Sequence, residues 1–294
     1  MRIGIDLGGT NTKIGMVNAK GELVEAESFS TRGLSAKEWI RQAVSVIRQW
    51  EEPEFIGIGV PGAADFKKGR IHYLPNLPGW EGVAITAPFV KAFGCPCSVE
   101  NDATAMAWAE HLFGAARGYD NVLCITLGTG VGGGLILNGE IFRGSDGVAG
   151  EVGHMPLFPW GRQCSCSGKG CLERYVGNDA LVELARKRKV LKKGETDLSR
   201  ITAMAKEGNK SAQDFWREVA ELLAPTMIGI TNLLNIDAIV IGGGVAKAGK
   251  LVLQPLKEMI KAYAMKIQRK RVKVLKARLS NNAGMIGCAM LNVS

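Results

Sequence analysis

The segments IGIDLGGT (residues 3–10) and LCITLGTG (residues 123–130) decide the fold of this chain, because they are two copies of one pattern. Each copy is a short apolar strand that runs into a loop of glycine and threonine, and a second apolar strand follows the loop. Asp6 in the first copy aligns with Thr126 in the second. The repeat predicts two similar halves, whose glycine loops face each other across a cleft and hold a polyphosphate from both sides.

Length and composition limit the class of protein. A chain of 294 residues suits about two domains, and a hydrophobic fraction of 46% is enough for a core in each. The 38 glycines collect in loops, which favours the building of sites over low-complexity sequence. The sequence shows neither an apolar run of membrane-spanning length nor a signal peptide. We therefore expect a cytoplasmic protein with no membrane partner.

The net charge of +9 has two interpretations. It is either a solvated basic surface, densest at residues 186–193 and 266–276, or the mark of a polyanionic partner. No zinc-finger or RNA-binding motif accompanies the charge. We therefore expect no nucleic-acid partner, and we assign the charge to solubility and to the attraction of an anionic substrate.

Strands alternate with helical patterns in both halves, and this alternation predicts an α/β fold. Residues 35–50 have apolar side chains at helical spacing, with Ser35 and Glu38 placed to form a capping box. The segments FIGIGVPG (55–62) and AIVIGGGV (238–245) extend the likeness between the halves, since each is a strand that ends at glycine.

The repeat also predicts where one domain ends and the next begins. Residues 118–120 connect the halves, because the second half restarts at Val122. We expect a first α/β domain at residues 1–117, completed by a C-terminal helix at residues 283–294. The second α/β domain is expected at residues 118–282.

The two glycine loops are candidate phosphate sites, because backbone N–H groups next to glycine can approach phosphate oxygens closely. In the first loop Asp6 can hold Mg²⁺, directly or through water, and Lys13 adds a cation. A tight turn without a ligand is the alternative. The second loop, residues 128–134, has five glycines in seven residues, more than a turn needs. Neither loop has the sequence of a Walker or Rossmann motif.

Asn101 and Asp102 follow a strand and open a helix. Both residue types serve well as helix caps. A carboxylate at this place can also lie at the edge of a cleft and accept a proton from a substrate hydroxyl. The two roles are compatible, because one residue can cap the helix while the other faces a ligand.

His154, Cys164, Cys166 and Cys171 have the composition of a closed tetrahedral zinc site. Unrelated buried thiols, or one disulfide with a cysteine left over, are the alternatives. Four protein ligands leave no open position, so the predicted metal is structural.

Two glutamates flank this cluster, Glu151 before the histidine and Glu173 after the last cysteine. Carboxylates that a metal site holds in place suit hydrogen bonds to the hydroxyls of a sugar. Ordinary surface glutamates are the alternative.

Together these segments resemble the ROK family of repressors and sugar kinases, within the actin-like ATPase fold. The resemblance runs from DLGGTNTK (6–13) to AGMIG (283–287). Its most specific part is GEVGH (150–154) followed by CSCSGKGCLE (164–173). It implies two actin-like, ribonuclease H-like domains that flank a cleft, with a zinc-binding insertion in the second.

The resemblance also implies roles for individual residues. Asp102 corresponds to the catalytic base that deprotonates the 6-hydroxyl of a sugar. The residues implied to bind the sugar are Asn101, Asp102, Glu151, His154 and Glu173. The candidate residues for ATP and Mg²⁺, from the loops and the resemblance together, are Asp6, Gly8, Gly9, Thr10, Lys13, Gly128, Thr129, Gly130, Gly132, Gly243 and Gly244, of which the last two belong to the adenosine side. The zinc ligands are His154, Cys164, Cys166 and Cys171.

Two residues depart from the family pattern. Ser167 replaces the usual glycine after the second cysteine, and Thr104 replaces a common asparagine after the base. Neither change removes a catalytic or metal-binding group, so they affect the expected substrate preference more than the expected activity.

The expected function is therefore transfer of the γ-phosphoryl group of ATP to the 6-hydroxyl of a hexose, with glucose first. N-acetylmannosamine, N-acetylglucosamine, mannose, fructose and allose are alternative acceptors. A non-catalytic sugar sensor and a repressor are alternatives of another class. Repressors of the family carry a helix-turn-helix domain before the first glycine loop, whereas that loop begins at residue 6 here, which favours a kinase. The resemblance implies a homodimer or homotetramer.

Overall fold

The computed structural model describes residues 1–291, and its framework is two five-stranded mixed sheets with equivalent topology. The strands are β1 (Arg2–Leu7), β2 (Asn11–Val17), β3 (Leu23–Ser30), β4 (Phe55–Val60), β5 (Ala63–Asp65), β6 (Arg70–Tyr73), β7 (Cys97–Asn101), β8 (Val122–Leu127), β9 (Val131–Leu137), β10 (Glu140–Ile141), β11 (Ala238–Gly243) and β12 (Lys273–Lys276). The first sheet has the order β3-β2-β1-β4-β7 and the second the order β10-β9-β8-β11-β12.

The pairing within the sheets repeats as the sequence predicts. β1 pairs antiparallel with β2 and parallel with β4, and β8 does the same with β9 and β11. Asp6 and Thr126 occupy equivalent places near the ends of β1 and β8, opposite Lys13 and Gly132. The α/β class and the duplicated hairpin are therefore confirmed.

The helices connect the strands and cover the sheets. They are α1 (Ala36–Ile47), α2 (Ala87–Phe93), α3 (Asp102–Phe113), α4 (Glu173–Val176), α5 (Asn178–Lys187), α6 (Leu198–Lys206), α7 (Lys210–Leu234), α8 (Lys250–Tyr263), α9 (Gln268–Arg271) and α10 (Ala283–Ala289). The predicted capping box at the start of α1 is present, because Ser35 accepts from the backbone of Glu38 and the Glu38 side chain bonds back to Ser35.

α3 and α10 lie between the two sheets and join the halves. α10 packs so tightly on the first sheet that a Cβ added to Gly57 would lie 1.8 Å from the backbone oxygen of Cys288. α3 crosses to the second sheet and contacts β8 and β9. The two helices also touch each other, since a Cβ added to Gly287 would lie 1.7 Å from the backbone oxygen of Ala105. These contacts hold the two sheets in a fixed position on either side of α3 and α10.

The structure corrects the predicted C-terminal helix. It was expected at residues 283–294, but α10 ends at Ala289, and residues 292–294 lie outside the described part of the chain. α10 packs on β1 and β4 of the first sheet. The domain boundary near residue 117, and the completion of the first domain by this helix, stay predictions.

Several elements were not predicted, among them the β5–β6 hairpin, the strand β12 and the helices α2, α4, α6, α8 and α9. α2 is only seven residues long, and α8 has a proline inside it, so neither presents a plain helical signal. Within residues 1–291, no helix is both long and apolar enough to cross a bilayer.

Candidate functional site

A cavity of about 380 Å³ opens between the two sheets. Asp6 and Lys13 line it from the first hairpin, Asp102 from the start of α3, and Gly243 and Gly244 from the end of β11. The duplicated sheets therefore place residues far apart in sequence around one space. Sequence reasoning missed several lining residues, namely Lys247, Lys276, Ser280, Asn281 and Gly284.

Asn101 and Asp102 divide the two roles considered for them. Oδ1 of Asn101 accepts from the backbone N–H groups of Ala103 and Thr104, both at 3.0 Å, so Asn101 is the N-cap of α3. Nδ2 of Asn101 donates to the backbone oxygen of Gly62 at 3.1 Å. Asp102 faces the cavity. Its Oδ1 also accepts a hydrogen bond from the backbone N–H of Ala103 at 2.7 Å.

The surroundings of Asp102 favour its protonated form more than water does. Burial, with the neighbouring carboxylates of Asp6 and Glu151 adding to it, raises the pKa of Asp102 from an ordinary value near 3.8 to about 7. The hydrogen bond from Ala103 acts in the opposite direction. A carboxylate with a pKa near neutrality is well matched to accept a proton from a hydroxyl at physiological pH.

Asp6 is the second carboxylate of the cavity. Burial raises its pKa, and Lys13 on the opposite strand counteracts this effect. Carboxylate oxygen beside an open space is the ligand type that Mg²⁺ prefers, together with water and phosphate. The residues present therefore fit a magnesium site at Asp6.

A second cavity, of about 490 Å³, adjoins the first, since Gly244 and Lys247 line both. Its lining residues include Gly128, Asn178 and Trp216. Its walls are more apolar than those of the first cavity, which suits the base and ribose of a nucleotide. The predicted adenosine-side loop at residues 243–244 thus lies where the two cavities meet.

The remaining residues of the glycine loops line neither cavity. These residues are Gly8, Gly9, Thr10, Thr129, Gly130 and Gly132, of which Thr129 borders a separate space of about 130 Å³ beside Glu173.

Part of the glycine content of the second loop has a packing reason. A Cβ added to Gly132 would lie 2.7 Å from Oγ1 of Thr126 and 2.9 Å from Cβ of Ala103. Gly134 is equally close to α3. Some glycines that the sequence assigned to phosphate binding are therefore needed because α3 packs closely against them.

The four predicted metal ligands do come together. One potential ligand atom from each of His154, Cys164, Cys166 and Cys171 lies within 4.8 Å of the others. Sγ of Cys166 and Sγ of Cys171 are 3.6 Å apart, and Sγ of Cys164 is 3.6 Å from Nδ1 of His154. Sulfur atoms around a tetrahedral zinc with Zn–S bonds of about 2.3 Å would lie about 3.8 Å apart. The donor set and its spacing therefore fit zinc.

The two glutamates are tied to functional segments. Oε2 of Glu151 lies 3.8 Å from Nε2 of His154, so Nδ1 of the ring faces the thiols and Nε2 faces Glu151. Oε2 of Glu173 accepts the backbone N–H of Val131 at 2.9 Å. The cysteine-rich segment is thereby connected to the second glycine loop.

This arrangement can be compared with known proteins. The model of the ROK family matches residues 2–294. The chain belongs to the ROK family. A glucokinase of Thermotoga maritima is 31% identical over 98% of this chain and 96% of its own length. A xylose repressor of Caldicellulosiruptor bescii is 30% identical over 99% of this chain and 78% of its own length.

A solved structure gives the same result for the fold. The ROK glucokinase of Streptomyces griseus, crystallised with glucose and AMPPNP, matches with a TM-score of 0.84. It is 33% identical, and the match covers 98% of this chain and 97% of that chain. The expected α/β fold of actin-like ROK kinases is therefore confirmed, and the ROK relatives include both kinases and a repressor.

Proposed function

We propose that this ROK protein is an ATP-dependent hexokinase that transfers the γ-phosphoryl group to the 6-hydroxyl of a hexose, with glucose as the preferred acceptor. The observation that carries the proposal is Asp102, which faces a cavity bordered by Asp6 and by the end of β11. The similarity to glucokinases over nearly the whole of both chains supports the same reaction.

Asp102 is the proposed general base. It accepts the proton of the 6-hydroxyl as the oxygen attacks the γ-phosphorus, and its pKa of about 7 suits this task. Asn101 holds the start of α3, so the carboxylate of Asp102 is presented at a fixed place. In phosphoryl transfer such positioning contributes much of the rate, because little covalent chemistry is left to the protein.

The proposed nucleotide lies across the two adjoining cavities. Its base and ribose occupy the more apolar space beside Trp216, and its phosphates extend past Gly244 towards Asp6. Lys13 and Lys247 supply positive charge along this path. Asp6 would hold Mg²⁺, which neutralises charge on the phosphates when it is bound.

The proposed sugar site lies on the other side of Asp102. Glu151, which is close enough to raise the pKa of Asp102, comes from the loop before His154. Nε2 of His154 points towards Glu151 rather than towards the thiols, so the ring can serve a metal and a sugar at once. Asn101, Glu151, His154 and Glu173 are the proposed partners of the sugar hydroxyls.

A structural zinc ion is proposed at His154 and the three cysteines. Four protein ligands complete a tetrahedral shell, and a site of this kind contributes to folding rather than to the reaction. The ion would fix the segment that carries Glu173 and, through it, the second glycine loop.

A coupled ATP assay across a panel of hexoses tests the proposal. We expect turnover with glucose, a lower kcat/KM with other hexoses, and a loss of about 10²–10⁴-fold in kcat for Asp102→Asn. Wild-type-like turnover by folded Asp102→Asn would contradict the assignment of the base. Tight binding of a hexose without turnover would instead identify a sugar sensor, and a preference for N-acetylmannosamine or N-acetylglucosamine would correct the acceptor.

A further inference from the structure

An ion pair joins the two halves of the molecule next to the proposed base. Nε of Arg143, which follows β10, donates to Oε2 of Glu100 on β7 at 2.7 Å. The Glu100 side chain is only 3% exposed, and the Arg143 side chain is 23% exposed. Burial raises the pKa of Glu100, and Arg143 opposes this effect by favouring the charged form.

Each partner makes a second contact with a segment of the proposed sugar site. Oε1 of Glu100 accepts the backbone N–H of Asn101 at 3.0 Å, directly before Asp102. The backbone oxygen of Arg143 accepts the N–H of Ala149 at 3.1 Å, which closes the turn that leads into Glu151.

Phe66, in the turn between β5 and β6, completes this arrangement. The Arg143 guanidinium lies 4.7 Å from the centre of the Phe66 ring. A Cβ added to Gly147 would lie 3.0 Å from the same ring. The first half therefore holds both the side chain of Arg143 and the turn that follows it.

A buried ion pair is a poor device for stability alone. Removing charges from water is unfavourable, and apolar residues of similar size often stabilise a fold as well or better. What the pair supplies is a defined geometry. The Arg143 guanidinium is held both by Glu100 and by the Phe66 ring. The second oxygen of Glu100 is held by the backbone of Asn101. In this chain that geometry relates β7, which leads to Asp102, to the turn that leads to Glu151.

We propose that Glu100 and Arg143 are positioning residues that set the placement of the base Asp102 relative to the sugar-binding loop at residues 144–154. This inference rests on the proposed hexokinase function. We assign the pair to the acceptor side of the site, because neither Glu100 nor Arg143 lines the two cavities proposed for the nucleotide. Loss of the pair therefore affects the use of the hexose and leaves the binding of ATP nearly unchanged.

The test compares Arg143→Met, Arg143→Lys, Glu100→Gln and the double variant Glu100→Gln/Arg143→Met. Arg188→Met is the matched control, because Arg188 makes a two-bond pair with Glu218 on the exposed surface. We expect Arg143→Met to raise the KM for hexose and lower kcat, each about tenfold, with the KM for ATP within twofold. Arg143→Lys should recover part of the loss, because it keeps the charge.

The double variant separates positioning from the cost of an unpaired buried charge. We expect its KM for hexose to stay raised even though its melting temperature recovers towards the wild-type value. Full recovery of kinetics in the double variant would overturn the proposal, because the single variants would then have failed only through an isolated charge. Wild-type kinetics in folded Arg143→Met would overturn it as well.

Amide hydrogen exchange without substrate separates this inference from the proposed function. Faster exchange at residues 101–104 and 144–154 in Arg143→Met, but not in Arg188→Met, is the expected result. Unchanged exchange in both segments would overturn the positioning role. If the wild-type protein neither binds nor phosphorylates a hexose, the proposed function fails, and the exchange result still decides whether the pair orders the two segments.

Discussion

The carboxylate of Glu173 accepts a hydrogen bond of 2.9 Å from the backbone N–H of Val131. Glu173 begins α4, directly after the cysteine-rich segment, and Val131 begins β9, within the glycine-rich stretch at residues 128–134. The cysteine-rich segment and the second glycine-rich stretch are therefore joined by a charge-assisted hydrogen bond.

Replacing Glu173 should disturb more than a contact with the sugar. We expect Glu173→Ala to lower kcat/KM for hexose by at least about tenfold, because loss of a hydrogen bond to a charged group is worth about 1.5–3 kcal/mol. Glu173→Gln keeps an acceptor for Val131 and should lose less. Steady-state kinetics of both variants measure the difference, and equal losses would show that the bond to Val131 has no part in the effect.

The raised pKa of Asp102 predicts a link between stability and pH. The folded protein binds this proton more tightly than the unfolded chain does, so Asp102 lowers stability as the pH rises from about 4 to about 7. Asp102→Asn should therefore be more stable than the wild type at pH 8, by on the order of 1–3 kcal/mol. The difference should vanish near pH 4.

Denaturant unfolding at several pH values measures this effect, and activity gives a second measurement. The kcat/KM for hexose should fall as the pH drops through about 7, because Asp102 then becomes protonated. A pH-independent stability difference between wild type and Asp102→Asn would contradict the pKa of about 7.

The metal proposal leads to a prediction about composition and stability. We expect one zinc per chain by elemental analysis, and loss of zinc with a lower melting temperature in Cys164→Ser. Cys97→Ser is the control, since Cys97 lies on β7 outside the cluster. Zinc-free protein with full activity and an unchanged melting temperature would contradict a structural metal here.

Some of these features could be predicted from the sequence, and others could not. The duplicated loops predicted the paired sheets because strand periodicity and glycine are local signals, and the spacing of His154 and the cysteines predicted their cluster. The bond between Glu173 and Val131 was beyond the sequence, because it joins residues 42 positions apart through the packing of two segments.

Close packing also changes the meaning of single residues. Gly132 was interpreted as part of a phosphate loop, but the structure shows that α3 leaves no room for a side chain there. Sequence alone does not distinguish a glycine that leaves room for a ligand from one that leaves room for a closely packed helix. Lys247 was missed for a related reason. It follows the segment AIVIGGGV (238–245), but it carries no signal of its own, and only the fold brings it to the junction of two cavities.

Lys247 gives the last prediction. It lines both the more apolar cavity proposed for the nucleoside and the cavity that contains Asp6, so a bound triphosphate would pass beside it. We expect Lys247→Ala to raise the KM for ATP roughly tenfold, because a charge-assisted bond to phosphate is worth about 1.5–3 kcal/mol. The KM for hexose should change by less than about twofold.

Lys250→Ala is the matched control for this change. Lys250 is exposed at the start of α8, three residues further along the chain, and borders neither cavity. Raising the ionic strength should reduce the difference between wild type and Lys247→Ala, since salt screens an exposed charge. An equal rise of the KM for ATP in both variants would point to general surface charge and would remove Lys247 from the nucleotide site.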